Sequence, residues 1–123
     1  MHPEEFDLTD LNTHEENTGK ACALLKLLSH PVRLSILCNL MHFDELSAGE
    51  IVRAEEHRAS QSQVSQYLAK LRQDEIVSTR REGQTIYYRV TDPGVQAIVQ
   101  ALHKIFCDKP PKRVSEITSE RTH

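Results

Sequence analysis

The stretch that most constrains the fold of this chain runs from Ser60 to Val90. Its first part, Ser60 to Gln73, carries apolar residues at spacings of four and three, which share one face of a helix. These residues are Val64, Leu68 and Leu71. Its second part predicts a hairpin, with β-rich runs at residues 76–81 and 84–90 around a turn at Glu82-Gly83. A helix followed by such a hairpin is the sequence form of a winged helix-turn-helix.

Polar side chains at the start of this helix, together with arginines on the hairpin, predict an interface with DNA. Short neutral side chains that form hydrogen bonds can reach base edges and phosphate oxygens in a major groove. The residues predicted to contact DNA are Ser60, Gln61, Ser62, Gln63, Ser65, Gln66, Lys70, Arg80 and Arg81. Within this set, the serines and glutamines after Gln61 are expected at the groove, and Arg80 or Arg81 on the wing. The alternative is an ordinary surface helix beside an ordinary hairpin.

The distribution of charge favours this interface, although the whole chain carries a net charge of −3. Between His57 and Val90 there are six Lys and Arg residues and three Asp and Glu residues, a local charge of +3 that leaves −6 for the remainder. Attraction to phosphate depends on the charge within a Debye length of about 10 Å, so the local value decides.

The length of 123 residues predicts one domain with tails, because such a chain can bury one modest core. Residues 1–16 hold six acidic side chains and no Lys or Arg, and we expect them to form a flexible acidic arm. The domain is expected over residues 17–107 and a C-terminal tail over residues 108–123. No membrane span or signal-peptide pattern stands out, which predicts a cytoplasmic protein without a membrane partner.

Three helices are predicted ahead of the organising stretch. The first, Lys20 to Leu28, has an apolar face broad enough to meet both the core and a partner subunit. The second runs from Pro31 to about His42, with Ser29 or His30 as its cap. The third begins with the capping-box spacing of Ser47 to Glu50.

One further helix is predicted after the hairpin. Asp92 is expected to cap it, Pro93 to occupy its first position, and an apolar stripe to continue to Cys107. The helix before the hairpin is expected to end with a strained, positive φ at Asp74 or Glu75, because no Gly or Asn is available there. The fold class is therefore mainly α with a β-hairpin wing, in the order α-α-α-α-β-β-α.

Several segments resemble the ArsR/SmtB family of bacterial repressors over roughly Thr18 to Cys107. They are HPVRLSIL, LSAGEI, SQSQVSQYLAKLRQDEIV and the strand IYYRV. The resemblance implies a homodimer joined through the first and last helices, with two recognition helices on double-stranded operator DNA. The turn from Glu55 to Ala59 is longer than in the family pattern, and this puts in question the angle between the helices that it joins.

The cysteines give a finer resemblance, because the two metal sites of the family are not assembled here. Ser47 to Glu56 contains no Cys, and the last helix offers only His103. What remains is Cys38 and Cys107, a pair similar to that of the BigR, SqrR and HlyU subgroup, which senses persulfides and related reactive sulfur. This resemblance implies a repressor that binds operator DNA when reduced and releases it when Cys38 and Cys107 are bridged. Cys107 is expected to react first, and Cys22 to belong to the core or an interface.

A metal-responsive repressor is the alternative to this thiol switch. Cys38 and His42 are four residues apart, as are His103 and Cys107, so two neighbouring helices would bring four zinc-type ligands together. Two buried small hydrophobic residues would be the bland explanation of the cysteine pair. A redox or protein-interaction module that merely uses the winged fold is a third reading. No CxxC, nucleophile–base or phosphate-loop motif indicates an enzyme, and no cofactor is expected.

Overall fold

The structure is a computed structural model that describes residues 8–106, with side chains described from residue 14 onward. Within these residues the elements are α1 (Leu8–Leu28), α2 (Pro31–Phe43), β1 (Leu46–Ser47), α3 (Ala48–Ala54), α4 (Gln61–Gln73), β2 (Val77–Glu82), β3 (Thr85–Val90) and α5 (Pro93–Phe106). This order confirms the mainly helical fold with a hairpin wing, with one added strand.

The wing is an antiparallel sheet in the order β1-β3-β2. β2 and β3 pair as far as Glu82 opposite Thr85, so Gly83 and Gln84 form the turn. Gly83 has a φ of 64°, the left-handed conformation that glycine adopts without a steric penalty. The turn lies one residue later than the sequence predicted, because Glu82 extends the ladder instead of entering the turn.

The strand β1 was not predicted. Its two residues, Leu46 and Ser47, pair with Tyr88 and Tyr87 of β3. A strand of two residues is too short to produce an alternating pattern in the sequence. Its position attaches the wing to the chain that leaves α2.

The first helix also extends further toward the N-terminus than predicted. α1 begins at Leu8, not near Lys20, so residues 8–16 of the expected acidic arm are helical. The sequence has no Pro or Gly between Leu8 and Thr18 that would stop a helix from propagating. Residues 1–7 and the expected tail at residues 108–123 lie outside the described part of the chain.

The helix N-termini carry the predicted caps. The Nδ1 atom of His30 accepts a hydrogen bond from the backbone N–H two residues on, at 3.2 Å, which makes His30 the cap of α2. Ser47 and Glu50 form a reciprocal capping box on α3. Asp92 accepts a hydrogen bond of 2.9 Å from a backbone N–H in the first turn of α5. These caps fix where each helix starts relative to the wing.

Two helices end in positive φ. Glu75, just after α4, has a φ of 60°, which confirms the strained terminus expected there. Asp44, just after α2, has φ 69° and ψ −43°. The N–H of Glu45 donates to the carbonyl of Phe43 at 2.8 Å, which closes a γ-turn of the rarer, strained form. The chain therefore turns sharply between α2 and the wing.

Arg33 joins three helices at one corner of the fold. Its Nε and Nη2 donate to the carbonyls of Leu27 and Lys26, at 3.0 and 3.2 Å, and so satisfy the C-terminal end of α1. Its guanidinium lies 5.9 Å from the centre of the Tyr67 ring on α4. The hydroxyl of Tyr67 in turn lies 2.8 Å from Nε2 of His30, at the start of α2.

The core lies where α2, α4, α5 and the sheet meet. Its most deeply buried apolar side chains are Ile36, Leu37, Leu40, Ile51, Val64, Leu71, Val95 and Val99. All three apolar residues predicted for the inner face of α4 are buried. Because that face is buried, the polar face of α4 is turned outward.

No single helix within residues 8–106 is long and apolar enough to span a membrane. One pair, His14–Leu28 with Pro31–Phe43, meets the length and composition criteria only when taken together, and it is bent by 93°.

Candidate nucleic-acid interface and cysteine cavity

The N-terminal half of α4 presents a row of polar side chains to solvent. The exposed residues are Ser60, Gln61, Ser62, Gln63, Ser65 and Gln66. α3 and α4 form the helix-turn-helix, and in that motif the start of the second helix is the part that reaches base edges. The structure therefore brings the predicted groove-contacting residues together on one accessible face.

Two of these residues hold the helix end itself. Ser60 Oγ accepts a hydrogen bond of 3.1 Å from the N–H of Gln63, and Gln63 Oε1 accepts one of 2.9 Å from the N–H of Ser60. The amide oxygen of Gln63 is thus engaged, which leaves its NH₂ group to meet a base. The S-x-x-Q spacing could have revealed this capping box. Within residues 8–106, the side chains of Ser62, Ser65 and Gln66 have no hydrogen-bond partner.

Arg80 is held in a group of four side chains that we call the wing clasp: Arg80, Glu45, Glu82 and Tyr87. Nε and Nη2 of Arg80 donate to the two carboxylate oxygens of Glu45, each at 2.8 Å. Nη1 donates to Glu82 at 2.8 Å, and the guanidinium lies 4.4 Å from the centre of the Tyr87 ring. The hydrogen bonds from Arg80 lower the pKa of Glu45, and those to Glu45 and Glu82 raise the pKa of Arg80.

The wing clasp gives different environments to the two arginines that the sequence predicted on the wing. Arg80 is committed to carboxylates, whereas Arg81 is exposed and makes no ion pair with any other described residue. Lys70 on α4 is 59% exposed and lies 3.4 Å from Asp74. An exposed pair of this kind contributes little, so Lys70 remains available to a phosphate. Sequence reasoning missed Glu45, since its partner is 35 residues away along the chain.

A cavity of about 250 Å³ lies between α2 and α5. Its lining consists of Cys38, Met41, His42, Val99, Gln100 and His103. The side chain of Cys38 is half-buried, and those of His42 and His103 are exposed. The spacing of four residues on α2 places Cys38 and His42 around the same cavity as His103 of α5, while the matching spacing on α5 involves Cys107, which lies outside the described residues. Met41 and Gln100 were missed, although each lies three residues from a predicted member.

The metal alternative gains no support from these three side chains. Within the described residues, no group of three or more His, Cys, Asp or Glu side chains is arranged to hold a metal ion. Cys107, the fourth member of the predicted set and the second of the predicted thiol pair, lies outside the described residues.

The outer faces of α1 and α5 carry apolar side chains that one chain leaves uncovered. Leu25 is 59% exposed, Ile105 57% and Phe106 70%. Cys22, expected in the core or an interface, is exposed on α1. These are the two helices that the sequence resemblance associates with a partner subunit.

Comparison with known proteins agrees with this architecture. The family model described as "Bacterial regulatory protein, arsR family" matches residues 30–79. The transcriptional activator HlyU of Vibrio cholerae is 43% identical over 98 residues, covering 80% of this chain and 88% of that protein. The biofilm growth-associated repressor of Xylella fastidiosa is 41% identical over 93 residues, covering 76% and 79%.

The fold comparison gives the same result. A solved structure of reduced HlyU from Vibrio cholerae superimposes with a TM-score of 0.70 at 43% identity, covering 77% of this chain and 97% of that one. The matches to these two relatives span 98 and 93 residues and so extend beyond the residues 30–79 that the family model covers. The chain therefore belongs to the ArsR family of bacterial regulatory proteins, and it is a DNA-binding transcriptional regulator, not an enzyme.

Proposed function

We propose that this regulator is a homodimeric repressor that binds operator DNA when Cys38 and Cys107 are reduced and releases it when they are bridged. The effector is a persulfide or a related reactive sulfur species. The observation that carries the proposal is the cavity between α2 and α5, which has Cys38 and His103 in its lining. Cys107 follows His103 by four residues in the sequence and comes directly after the last residue of α5, Phe106.

The chemistry needs two thiols and one sulfane sulfur. The thiolate of Cys107 attacks the outer sulfur of a persulfide RSSH, which gives a Cys107 persulfide and releases the thiol RSH. The thiolate of Cys38 then attacks Sγ of Cys107, forms the disulfide and expels hydrogen sulfide. Two thiols are oxidised and one sulfane sulfur is reduced, so the electrons balance. Cys107 is assigned the first step because α5 is exposed from His103 to Phe106, whereas Cys38 is half-buried.

The exposed apolar side chains on α1 and α5 support dimer formation. Side chains such as Leu25 and Phe106, each more than half exposed, form a surface that soluble monomers rarely leave in water. A second copy packed on these helices would cover it. Two copies related by a twofold axis would place two α4 helices in successive major grooves, about one helical turn apart.

On DNA, the exposed side chains of Ser62, Ser65 and Gln66 meet base edges, with Gln63 offering its NH₂ group. Gln61, Lys70 and Arg81 contact phosphates, while Arg80 keeps the wing in place. The relative whose structure is described as reduced HlyU supports a redox-dependent state in a protein of this architecture.

The test combines operator binding with mass spectrometry of the intact protein. The reduced parent should bind its operator, and a persulfide donor should release it together with a loss of two hydrogens between Cys38 and Cys107. Cys38→Ser and Cys107→Ser should bind normally and not respond. Cys22→Ser is the matched control, because Cys22 lies on α1 away from the cavity lining, and it should respond like the parent.

The metal-responsive alternative would use Cys38, His42, His103 and Cys107, and the first three line the cavity without forming a metal-holding group among the described residues. A zinc titration of the reduced protein is therefore run beside the persulfide treatment. Release by zinc that Cys38→Ser, His42→Ala and His103→Ala each abolish would favour a metal sensor. Normal persulfide release by Cys107→Ser would contradict the two-cysteine mechanism.

A further inference from the structure

Glu55 carries a carboxylate that is 0% exposed, the one charged residue of the described chain that is fully buried. Ser35 Oγ donates to its Oε2 at 2.6 Å, and Asn39 Nδ2 reaches the same oxygen at 3.4 Å. Its Oε1 has no hydrogen-bond partner among the described residues, and Arg58 Nε lies 3.6 Å from it. The carboxylate thus belongs to the α3–α4 turn but is held by α2.

The backbone of the same residue holds the turn between α3 and α4. Glu55 is the C-cap of α3, and its carbonyl accepts hydrogen bonds from the N–H groups of Arg58 and Ala59, each at 2.9 Å. The turn therefore has helix-like backbone hydrogen bonds to Glu55 before α4 begins at Gln61. Any displacement of Glu55 displaces the start of α4.

Helix α2 meets these two neighbours with two adjacent rows of side chains on the same side of the helix. Ser35 and Asn39, four residues apart, face Glu55. Cys38 and His42, also four residues apart, line the cavity against α5. A shift or rotation of α2 at the cavity therefore moves the donors of Glu55 by the same rigid-body motion.

Burying this carboxylate costs more free energy than burying an apolar side chain in the same space. A buried charge costs free energy even when, as here, one oxygen is paired only with the partly exposed Arg58 at 3.6 Å, and a well-packed apolar side chain of similar size is often as stable or more so. Such groups are retained in some proteins because their directional hydrogen bonds specify one arrangement of the surrounding elements. Glu55 has that geometry, since its bonds join α2 to the turn across the interior.

We infer that Glu55 is the positioning residue that couples the cavity to the recognition helix, an inference that rests on the function proposed above. Bridging Cys38 changes the position of α2, and Ser35 and Asn39 move relative to the carboxylate. The contact from Asn39, already at 3.4 Å, is at the limit of a hydrogen bond and is lost first. The turn then adopts another conformation, and α4 no longer has the orientation that fits the major groove of the operator.

The test is the ratio of operator dissociation constants between the persulfide-treated and the reduced full-length protein. For the parent we expect a ratio of roughly 5–150, the usual range of allosteric coupling. Glu55→Leu removes both hydrogen bonds and should bring the ratio close to one, although mass spectrometry shows the bridge formed. Glu55→Gln retains an acceptor for Ser35 and Asn39 and should restore most of the ratio. Glu56→Gln changes the exposed neighbouring carboxylate and should match the parent.

A merely structural role would lower stability in Glu55→Leu but leave the ratio unchanged, and that result would overturn the coupling. If Glu55→Leu does not fold, the double variant Ser35→Ala with Asn39→Ala is measured instead, and an unchanged ratio there has the same meaning. A parent that bridges its cysteines yet keeps its operator contradicts the proposed function and the coupling together. A parent that releases DNA beside a Glu55→Leu protein with the same ratio contradicts the coupling alone.

Discussion

The DNA-facing region and the α1–α5 surface differ in whether their side chains find partners within one chain. In the first, the polar groups that fix the geometry find partners within one chain: Ser60 and Gln63 cap α4, and Arg80 binds Glu45 across the wing. In the second, Leu25 and Phe106 remain more than half exposed. The contrast teaches that one subunit completes the geometry of a single DNA reader. A second copy packed on α1 and α5, as proposed above, would place the two α4 helices relative to each other.

The largest expected effect contrasts a buried leucine with an exposed one. Leu37 is 0% exposed, so Leu37→Ala should lower the free energy of unfolding by about 2–5 kcal/mol through lost burial and a cavity. Leu25→Ala removes the same atoms from a 59% exposed site and should instead weaken dimer formation. Urea denaturation at several protein concentrations, with light scattering, distinguishes the two outcomes. Equal loss in both variants, independent of concentration, would abolish the contrast between the regions.

The next effect separates base contact from helix capping on α4. Gln66→Ala removes an exposed side chain without a described partner and should cost about 1–3 kcal/mol of operator binding and relax base preference. Gln63→Ala should do the same and also lower stability, because it breaks the capping box. Binding to operator and mismatched duplexes, beside thermal unfolding, measures both properties. A Gln66→Ala protein as selective as the parent would show that α4 does not read bases there.

A smaller effect distinguishes the two wing arginines. Arg81→Ala should weaken binding to all sequences alike and flatten the dependence of log K on log salt by about one unit, the loss of one phosphate contact. Arg80→Ala should reduce affinity through a misplaced wing, with little change in that slope, because its donors already bind Glu45 and Glu82. Fluorescence anisotropy across a salt series provides the slopes. The opposite assignment of slopes would transfer the phosphate contact to Arg80.

The smallest effect concerns acid. The hydrogen bond from Arg80 lowers the pKa of Glu45 below its ordinary value of 4.5, so the ionised form stabilises the folded wing. That contribution is fully present above pH 4.5 and is lost as pH falls through the folded pKa. The stability difference between parent and Glu45→Gln should therefore shrink below pH 4.5, and remain modest at pH 7 since the pair is partly exposed. Urea unfolding across pH measures it, and a difference that does not vary with pH would contradict the assignment.

The features that sequence revealed are those that depend on neighbours along the chain. The capping box of Ser47 and the positive φ at Glu75 follow from local spacing and from the absence of glycine. Helical periodicity predicted that Cys38, His42 and His103 would lie close together if α2 and α5 were neighbours, and all three line one cavity.

The features that sequence did not reveal depend on tertiary contacts. Glu45, the partner of Arg80, is 35 residues away along the chain. Ser35 and Asn39, which donate hydrogen bonds to Glu55, lie 20 and 16 residues before it. An acidic residue in a turn is usually exposed to solvent. Glu55 is buried because α2 packs against that turn. The strand β1 exists because β3 lies beside it, since two residues have no pattern of their own.

Arg33 has a consequence for the operator itself. Its guanidinium donates to the last carbonyls of α1 and lies over the ring of Tyr67 on α4, so it links these two helices within one chain. In the dimer proposed above, α1 would face the partner and α4 the DNA. The contacts of Arg33 would then couple the tilt of α4 to that of α1, and so would influence the distance between the two halves of the operator.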